Sequence, residues 1–270
     1  MRRMFSWLAR RVVRFLRPQP AAAAAPDTAA SPVGVPIVGE APRSRWSGRL
    51  AALRTRLFAS ATVAGAALFG ALAWLVQAEH LAGVDLALTR AVQTLDDPRF
   101  AALMRAVSQP GSPALSMPLI AGTALVLGLL GQPLAAGITA AAGSVALLAV
   151  PLKLLIARRR PDDDLVPVAG DLPDHSFPSG HTLGYVAFFG FLAYLCYTRL
   201  RRGRLRTALL WALGALILLV GPSRVYLGYH WPSDVLASYA LGLVCLLALV
   251  GLYARETAAL GTIRAPAGGR

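Results

Sequence analysis

What this sequence has least of is charge, and the little it has is one-sided. Charged side chains make up 15% of the 270 residues, against 56% hydrophobic ones, and the mean hydropathy is +0.56. So small a polar complement does not cover a water-soluble domain of this size, which leaves a membrane protein as the leading class. Acids are the scarcer sign, with 13 Asp and Glu beside 27 Lys and Arg, for a formal net charge of +14. Lysine is nearly missing, since Lys153 is the only one. Cysteine is also rare: Cys196 and Cys245 both fall in apolar runs, which argues against a disulfide framework and against a thiolate metal site. The first 17 residues are interrupted by arginines and hold no clean apolar core, so no cleavable signal peptide is expected.

What is present is a series of apolar runs. Six occur, at residues 57–77, 113–131, 133–156, 182–198, 206–222 and 235–253, each near the roughly 20 residues that a spanning helix needs. The expected fold class is all-α, an integral membrane bundle of six transmembrane helices. Between the first two runs, residues 78–112 alternate apolar and polar positions at helical spacing. They predict one or two amphipathic helices on the outer face, either shaping a lipid entrance or capping the bundle. Three parts follow along the chain. Residues 1–42 are a basic amphipathic segment and a Pro/Ala-rich linker, 43–254 the six-helix domain, and 255–270 a short C-terminal tail.

A charge of +14 would suit nucleic acid, but its placement points elsewhere. The arginines gather in residues 1–17, 43–56 and 199–206, and all three stretches face the cytoplasm if the N-terminus does. The positive-inside rule then places both termini in the cytoplasm, with the membrane read as the inner membrane of a bacterium. Nucleic acid is not an expected partner. Anionic lipid is, because Met4, Phe5, Leu8, Val12, Phe15 and Leu16 recur at helical spacing opposite arginines.

Chemistry-bearing residues fall in three short clusters: KLLIARRRP at 153–161, HSFPSGHT at 175–182 and SRVYLGYHWPSD at 223–234. The six-span topology brings all three to the outer side, where Lys153 and Arg158 to Arg160 are out of place by charge. Either the acidic run Asp162, Asp163 and Asp164 neutralises them, or they receive an anionic substrate. A compact ammonium beside guanidinium forks suits a phosphate. Ser179 and Gly180 form a helix start, with Ser179 a candidate cap and Gly180 able to bring backbone close to a ligand. His181 stands at that entrance. In the third cluster Asp234 follows His230 by four residues. It either favours the first turn of a helix or orients the imidazole so that its other nitrogen can attack. Arg224 adds a further cation. A nucleophile, an acid and an anion cradle are the parts phosphoryl transfer needs. No thiol pair or dense carboxylate set calls for a metal, and no cofactor is expected.

In these residues the sequence resembles the type 2 phosphatidic acid phosphatase (PAP2) family, in its membrane-bound branch. Lys153, six residues, then Arg160-Pro161 fit the first motif; Pro178-Ser179-Gly180-His181 fit the second; Ser223-Arg224, His230 and Asp234 fit the third. The resemblance implies that His230 attacks phosphorus, that His181 protonates the leaving oxygen and later activates water, and that Asp234 orients His230. Lys153, Arg160, Ser179, Gly180 and Arg224 would hold the phosphate. It implies a lipid phosphate as substrate, cleaved without metal: phosphatidate, phosphatidylglycerol phosphate or undecaprenyl diphosphate. Arg158 and Arg159 match no motif position and are read as electrostatic support, so Arg158→Ala is expected to cost little.

Two alternatives stay open. A lipid phosphotransferase would use the same residues with an alcohol in place of water. A transporter or non-catalytic anion-binding membrane protein would use the charges as a pathway, against which they gather at one face. A haloperoxidase gains nothing from membrane spans.

Overall fold

The computed structural model describes residues 45–264 apart from Asp171, with side chains for Leu53 and residues 55–260. The expected N-terminal segment and linker at 1–42 lie outside the described residues. Among the described residues all regular structure is helical: α1 (Arg45–Gln77), α2 (Ala82–Gln93), α3 (Pro98–Ser108), α4 (Pro113–Leu129), α5 (Pro133–Ser144), α6 (Ala149–Ile156), α7 (Gly180–Arg199), α8 (Arg204–Tyr226) and α9 (Pro232–Arg264). Four of these begin on a proline, whose fixed φ and missing N–H suit a first turn that has no acceptor to fill. At α3 the preceding Asp97 completes the start, its side chain accepting from the N–H groups of Arg99 at 2.7 Å and Phe100 at 2.9 Å. Helix α9 runs to Arg264, so residues 255–264 of the stretch expected as a tail continue the last helix.

Four helical stretches are long and apolar enough to cross a membrane: Thr55–Gln77, Pro133–Ile156, Arg204–Tyr226 and Pro232–Leu260. A fifth follows if Pro98–Gly111 and Pro113–Leu129, bent by 54°, are one broken span. Their side chains are largely bare of protein, as with Trp211 at 75% exposure and Leu129 at 78%, which is what a lipid-facing surface presents. The expected run at 182–198 coincides with α7, which does not pass the same test because His, Thr, Gly and Tyr dilute its apolar content.

The reason for that dilution is position. Helix α7 packs on α9, α8 and α5, and Tyr185 through Phe191 are buried without a break. Phe188 and Phe189 pack with Val107 and Val220, and Phe191 with Ile138 and Tyr253. Close helix approach relies on missing side chains: a Cβ at Gly190 would lie 2.6 Å from a Leu246 methyl, and one at Gly242 would lie 2.8 Å from the Val186 Cβ.

The stretch between the first two expected runs forms the two short helices α2 and α3. Hydrogen bonds tie α2 to the loops that carry the motifs. Gln93 donates to the carbonyls of Pro167 (2.8 Å) and Tyr226 (3.0 Å), Arg90 donates to Leu165 O (3.1 Å), and Tyr226 Oη donates to Leu95 O (3.1 Å).

Candidate active site

Three breaks in the helices bring the three clusters together. Helix α6 ends at Ala157, which adopts the left-handed region (φ 51°) while its N–H closes on Lys153 O at 2.8 Å. The following chain pairs with the approach to α7: Ser176 N donates to Arg158 O at 2.8 Å, and Arg160 Nε donates to Asp174 O at 2.9 Å. The turn between α8 and α9 then joins them, since Arg160 Nη1 donates to Tyr229 O and Trp231 Nε1 donates to Arg159 O at 3.0 Å.

His230 is buried at this junction, 2% exposed. Its Nδ1 faces the Asp234 carboxylate at 3.7 Å and the Ser176 hydroxyl at 3.5 Å. Its Nε2 faces Arg160 Nη1 at 3.4 Å. Burial pushes the imidazole down to about 4, with the cations of Arg224 and Arg160 acting the same way and Asp234 opposing them. The ring is therefore neutral at physiological pH. Asp234 is wholly enclosed and saturated with donors. One oxygen accepts from Ser176 Oγ and from Trp231 N (2.9 Å), and the other accepts from Arg158 Nη1 (2.5 Å). The Trp231 bond is half of a capping box for α9. The two readings of Asp234, helix start and histidine partner, describe one geometry.

Arg224 and Arg160 both act on the His230 ring. Arg224, in the last turn of α8 and 4% exposed, donates from Nη1 to Ser108 Oγ at 2.7 Å and stacks over the Tyr229 ring at 4.1 Å. Its Nε is buried with no hydrogen-bond partner among the described residues. Lys153 Nζ and Arg160 Nη2 instead share the Asp174 carboxylate, Arg160 at 2.5 Å. Burial alone would raise that carboxyl, but the hydrogen bonds from Lys153 and Arg160 hold it at about 2. An internal anion thus sits on two of the cations foreseen for phosphate.

In the second cluster Ser179 does cap α7, its Oγ accepting from Thr182 N at 3.4 Å and Thr182 Oγ1 at 3.1 Å. Its own N–H is spent on Ser238 Oγ at 2.7 Å. A Cβ at Gly180 would meet Ala149 and the Ala146 carbonyl at ordinary contact distance. His181 lies against Gly111, where any added Cβ would collide with its ring. An apolar recess opens beside it, lined among others by Gly111, Ile120, Gly143, Ala146, Gly184 and Phe188.

Two expectations need correction. The acids bonded to the cations of the first cluster are Asp174, Asp234 and Asp85, not Asp162 to Asp164; Asp163 instead accepts from Val168 N at 3.1 Å. Arg158 is not peripheral support, because it bridges Asp234 and Asp85 and donates to Ser233 Oγ at 2.7 Å. Sequence reasoning also missed Asp85, Ser108, Asp174 and Ser176. A lone acid in the apolar stretch LAGVDLAL was the available signal for Asp85, and proximity to the second motif the signal for Asp174 and Ser176. Nothing in the sequence marks Ser108.

The PAP2 superfamily model matches residues 133–258, which contain all three clusters. Over 78 residues the chain is 44% identical to YbjG of Escherichia coli (strain K12), provisionally named an undecaprenyl-diphosphatase, covering 28% of this chain and 35% of that protein. Over 116 residues it is 37% identical to the lipid A 1-phosphatase of Rhizobium etli (strain ATCC 51251 / DSM 11541 / JCM 21823 / NBRC 15573 / CFN 42), covering 40% of this chain and 46% of that protein. The chain thus spans between about a third and a half of the length of these curated relatives. Among solved structures it superposes on the transmembrane PAP2 type phosphatidylglycerolphosphate phosphatase from Bacillus subtilis. The TM-score is 0.61 at 26% identity, over 72% of this chain and 96% of that one. Apolar spans and these membrane relatives agree on a multi-pass integral membrane protein, and the segment that matches the PAP2 superfamily, residues 133–258, holds all three clusters in order.

Proposed function

We propose that the chain is an integral-membrane lipid phosphatase that hydrolyses a lipid phosphomonoester or diphosphate through a phosphohistidine on His230. The observation that carries this reading is the asymmetry around the His230 ring. Nδ1 faces a carboxylate at 3.7 Å, and Nε2 faces a guanidinium at 3.4 Å in a cluster of cations. Asp234 and Ser176 favour the tautomer protonated at Nδ1, which leaves the Nε2 lone pair to attack. A P–N bond forms as the P–O bond to the lipid breaks, and protonated His181 gives its proton to the departing oxygen. His181 then takes a proton from water, whose oxygen attacks phosphorus and breaks the P–N bond. The products are inorganic phosphate and a lipid alcohol, or a lipid monophosphate when the substrate is a diphosphate.

Lys153, Arg160 and Arg224, with the start of α7 at Ser179 and Gly180, hold the phosphate oxygens and the charge that develops on them. These fixed cations do the work that a divalent metal does elsewhere, so the reaction is proposed to need none. The apolar recess beside His181 receives the first carbons of the lipid on the side where the leaving oxygen is protonated.

Helix α7 leaves the site at Gly180 and α8 returns to it at Tyr226, so the basic loop around 199–206 lies at the opposite end. With that loop cytoplasmic, the site opens on the outer face of a bacterial inner membrane, with both termini inside. The remaining expected span, α7, completes a six-helix bundle.

The test is phosphate release from detergent-purified protein in EDTA. Phosphatidate, phosphatidylglycerol phosphate, undecaprenyl diphosphate and lipid A 1-phosphate are offered separately, beside His230→Ala. Release that falls by about 10⁴-fold or more in the variant supports the mechanism, on the scale of a lost nucleophile, and the rank order names the substrate. Equal release by His230→Ala would overturn it.

A further inference from the structure

The proposed mechanism places a negative charge, Asp234, behind the nucleophile. The structure complicates that charge, because Asp234 is bonded to a cation. Arg158 Nη1 donates to Asp234 Oδ1 at 2.5 Å, and a one-to-one pair of this kind would cancel the carboxylate just where His230 needs it. Arg158 is not in a one-to-one pair. Its Nη2 donates to Asp85 Oδ2 at 2.6 Å, and its Nη1 also reaches Ser233 Oγ at 2.7 Å.

Asp85 lies in α2, outside the segment matched by the family, and is 2% exposed. Its second oxygen is fixed as well: Oδ1 accepts from Ser233 N at 2.9 Å, while Ser233 Oγ donates to Oδ2 at 2.6 Å. One guanidinium is thus divided between two buried carboxylates, and Ser233 belongs to both halves. The group Asp85, Arg158 and Asp234 carries a formal charge of −1, whereas Arg158 with Asp234 alone carries none. When Nε2 of His230 bonds to phosphorus the ring becomes cationic, and the charge left over on this group is what faces it from the Nδ1 side.

Resting on the phosphatase reading above, we propose that Asp85 is a positioning residue for that reaction. It draws Arg158 away from full neutralisation of Asp234, and so keeps both the orientation and the charge that His230 uses. Asp85 touches neither His230 nor the phosphate cradle; it acts through Arg158 and Ser233. Its removal therefore alters the bond-making step and leaves the cations that bind phosphate where they are.

Four variants in detergent test this against wild type and His230→Ala: Asp85→Asn, Ser233→Ala, Arg158→Lys and Arg158→Gln. The readouts are kcat, KM, the competitive Ki of inorganic phosphate, and the rate of phosphoenzyme formation by rapid quench, per phosphorylatable site so that misfolded protein does not count. Asp85→Asn keeps the shape and the acceptor for Ser233 N but loses the charge. It is expected to lower kcat and the phosphorylation rate by about 10- to 100-fold, as outer-layer partners of reactive groups commonly do, with KM and Ki within about threefold. Ser233→Ala should lose less in the same pattern, and Arg158→Lys should retain more activity than Arg158→Gln. Wild-type phosphorylation rates per site in Asp85→Asn overturn the inference, as does a loss that appears only in Ki or in the number of competent sites. A wild type that releases no phosphate, or releases it without His230, overturns the parent mechanism and this inference with it.

Discussion

Two regions of this molecule build the site in different ways. Residues 133–258 supply every group that the proposed mechanism places around phosphorus, in three motifs whose spacing is visible in the sequence. The stretch 82–108, in α2 and α3, supplies none of those groups, yet Asp85 bonds Arg158 and Ser108 bonds Arg224. Groups that meet a phosphate are constrained by the geometry of the phosphate, so residue type and spacing recur together. Groups that hold those groups are constrained only by where the chain happens to pass, and a Ser or Asp on any nearby helix can serve.

The sharpest way to break this comparison is to remove the two ends of one bond. Arg224→Ala takes away a cation of the cradle and should lower kcat/KM by about 10²- to 10³-fold, the usual scale for a lost donor to transition-state charge. Ser108→Ala takes away only the acceptor of Arg224 Nη1, and should cost about tenfold, on the scale of one hydrogen bond to a charged group. Melting temperatures in detergent distinguish a misplaced arginine from a loosened α3. Equal losses in the two variants would mean that α3 is as much a part of the site as the motifs are.

Between those two effects in size lies a stability effect on His230. Its folded value of about 4 lies below the ordinary 6.5 because of burial. Above pH 6.5 the ring is neutral in both the folded and unfolded chain, and the shift has no effect. As pH falls toward 4 the unfolded chain takes up a proton that the folded one refuses, so stability declines with acid in that window. Between pH 7 and 5 the loss is about 2 kcal/mol at 1.36 kcal/mol per unit. Thermal melts of His230→Asn should lack this part of the decline. A variant that follows the wild-type curve would place the buried titrating group elsewhere.

The same contrast explains what was legible beforehand. The all-helical class follows from apolar runs, and the meeting of Lys153, His181 and His230 at one end follows from the alternation of those runs. The span at 182–198 fits less simply, because a helix wrapped by α5, α8 and α9 no longer needs the composition of one facing lipid. Arg158 was underrated for a related reason. It sits two residues from Arg160 and carries the same charge, and only their partners separate their roles: Asp85 and Asp234 bond Arg158, whereas Asp174 bonds Arg160. Ser179 shows the reverse: its capping role was read from local sequence because a cap is a local bond.

The smallest effect concerns Asp174, which lies inside the motif-bearing segment yet matches none of its motifs. Its carboxylate holds Lys153 and Arg160 while remaining half exposed, at 51%. With its proton lost above about 2, it is ionised wherever the enzyme would work. Under the proposed mechanism an incoming phosphate would therefore exchange one anion for another at two cations, rather than fill an empty cradle. Asp174→Asn keeps the shape and removes the competing charge. Because the carboxylate is partly in water, much of its repulsion is screened, and the Ki of inorganic phosphate should fall by about three- to tenfold, with kcat moving less. A rise in Ki would carry the opposite meaning: Asp174 would then be aligning Lys153 and Arg160 for the phosphate, in the manner of Ser108 toward Arg224, rather than competing with it.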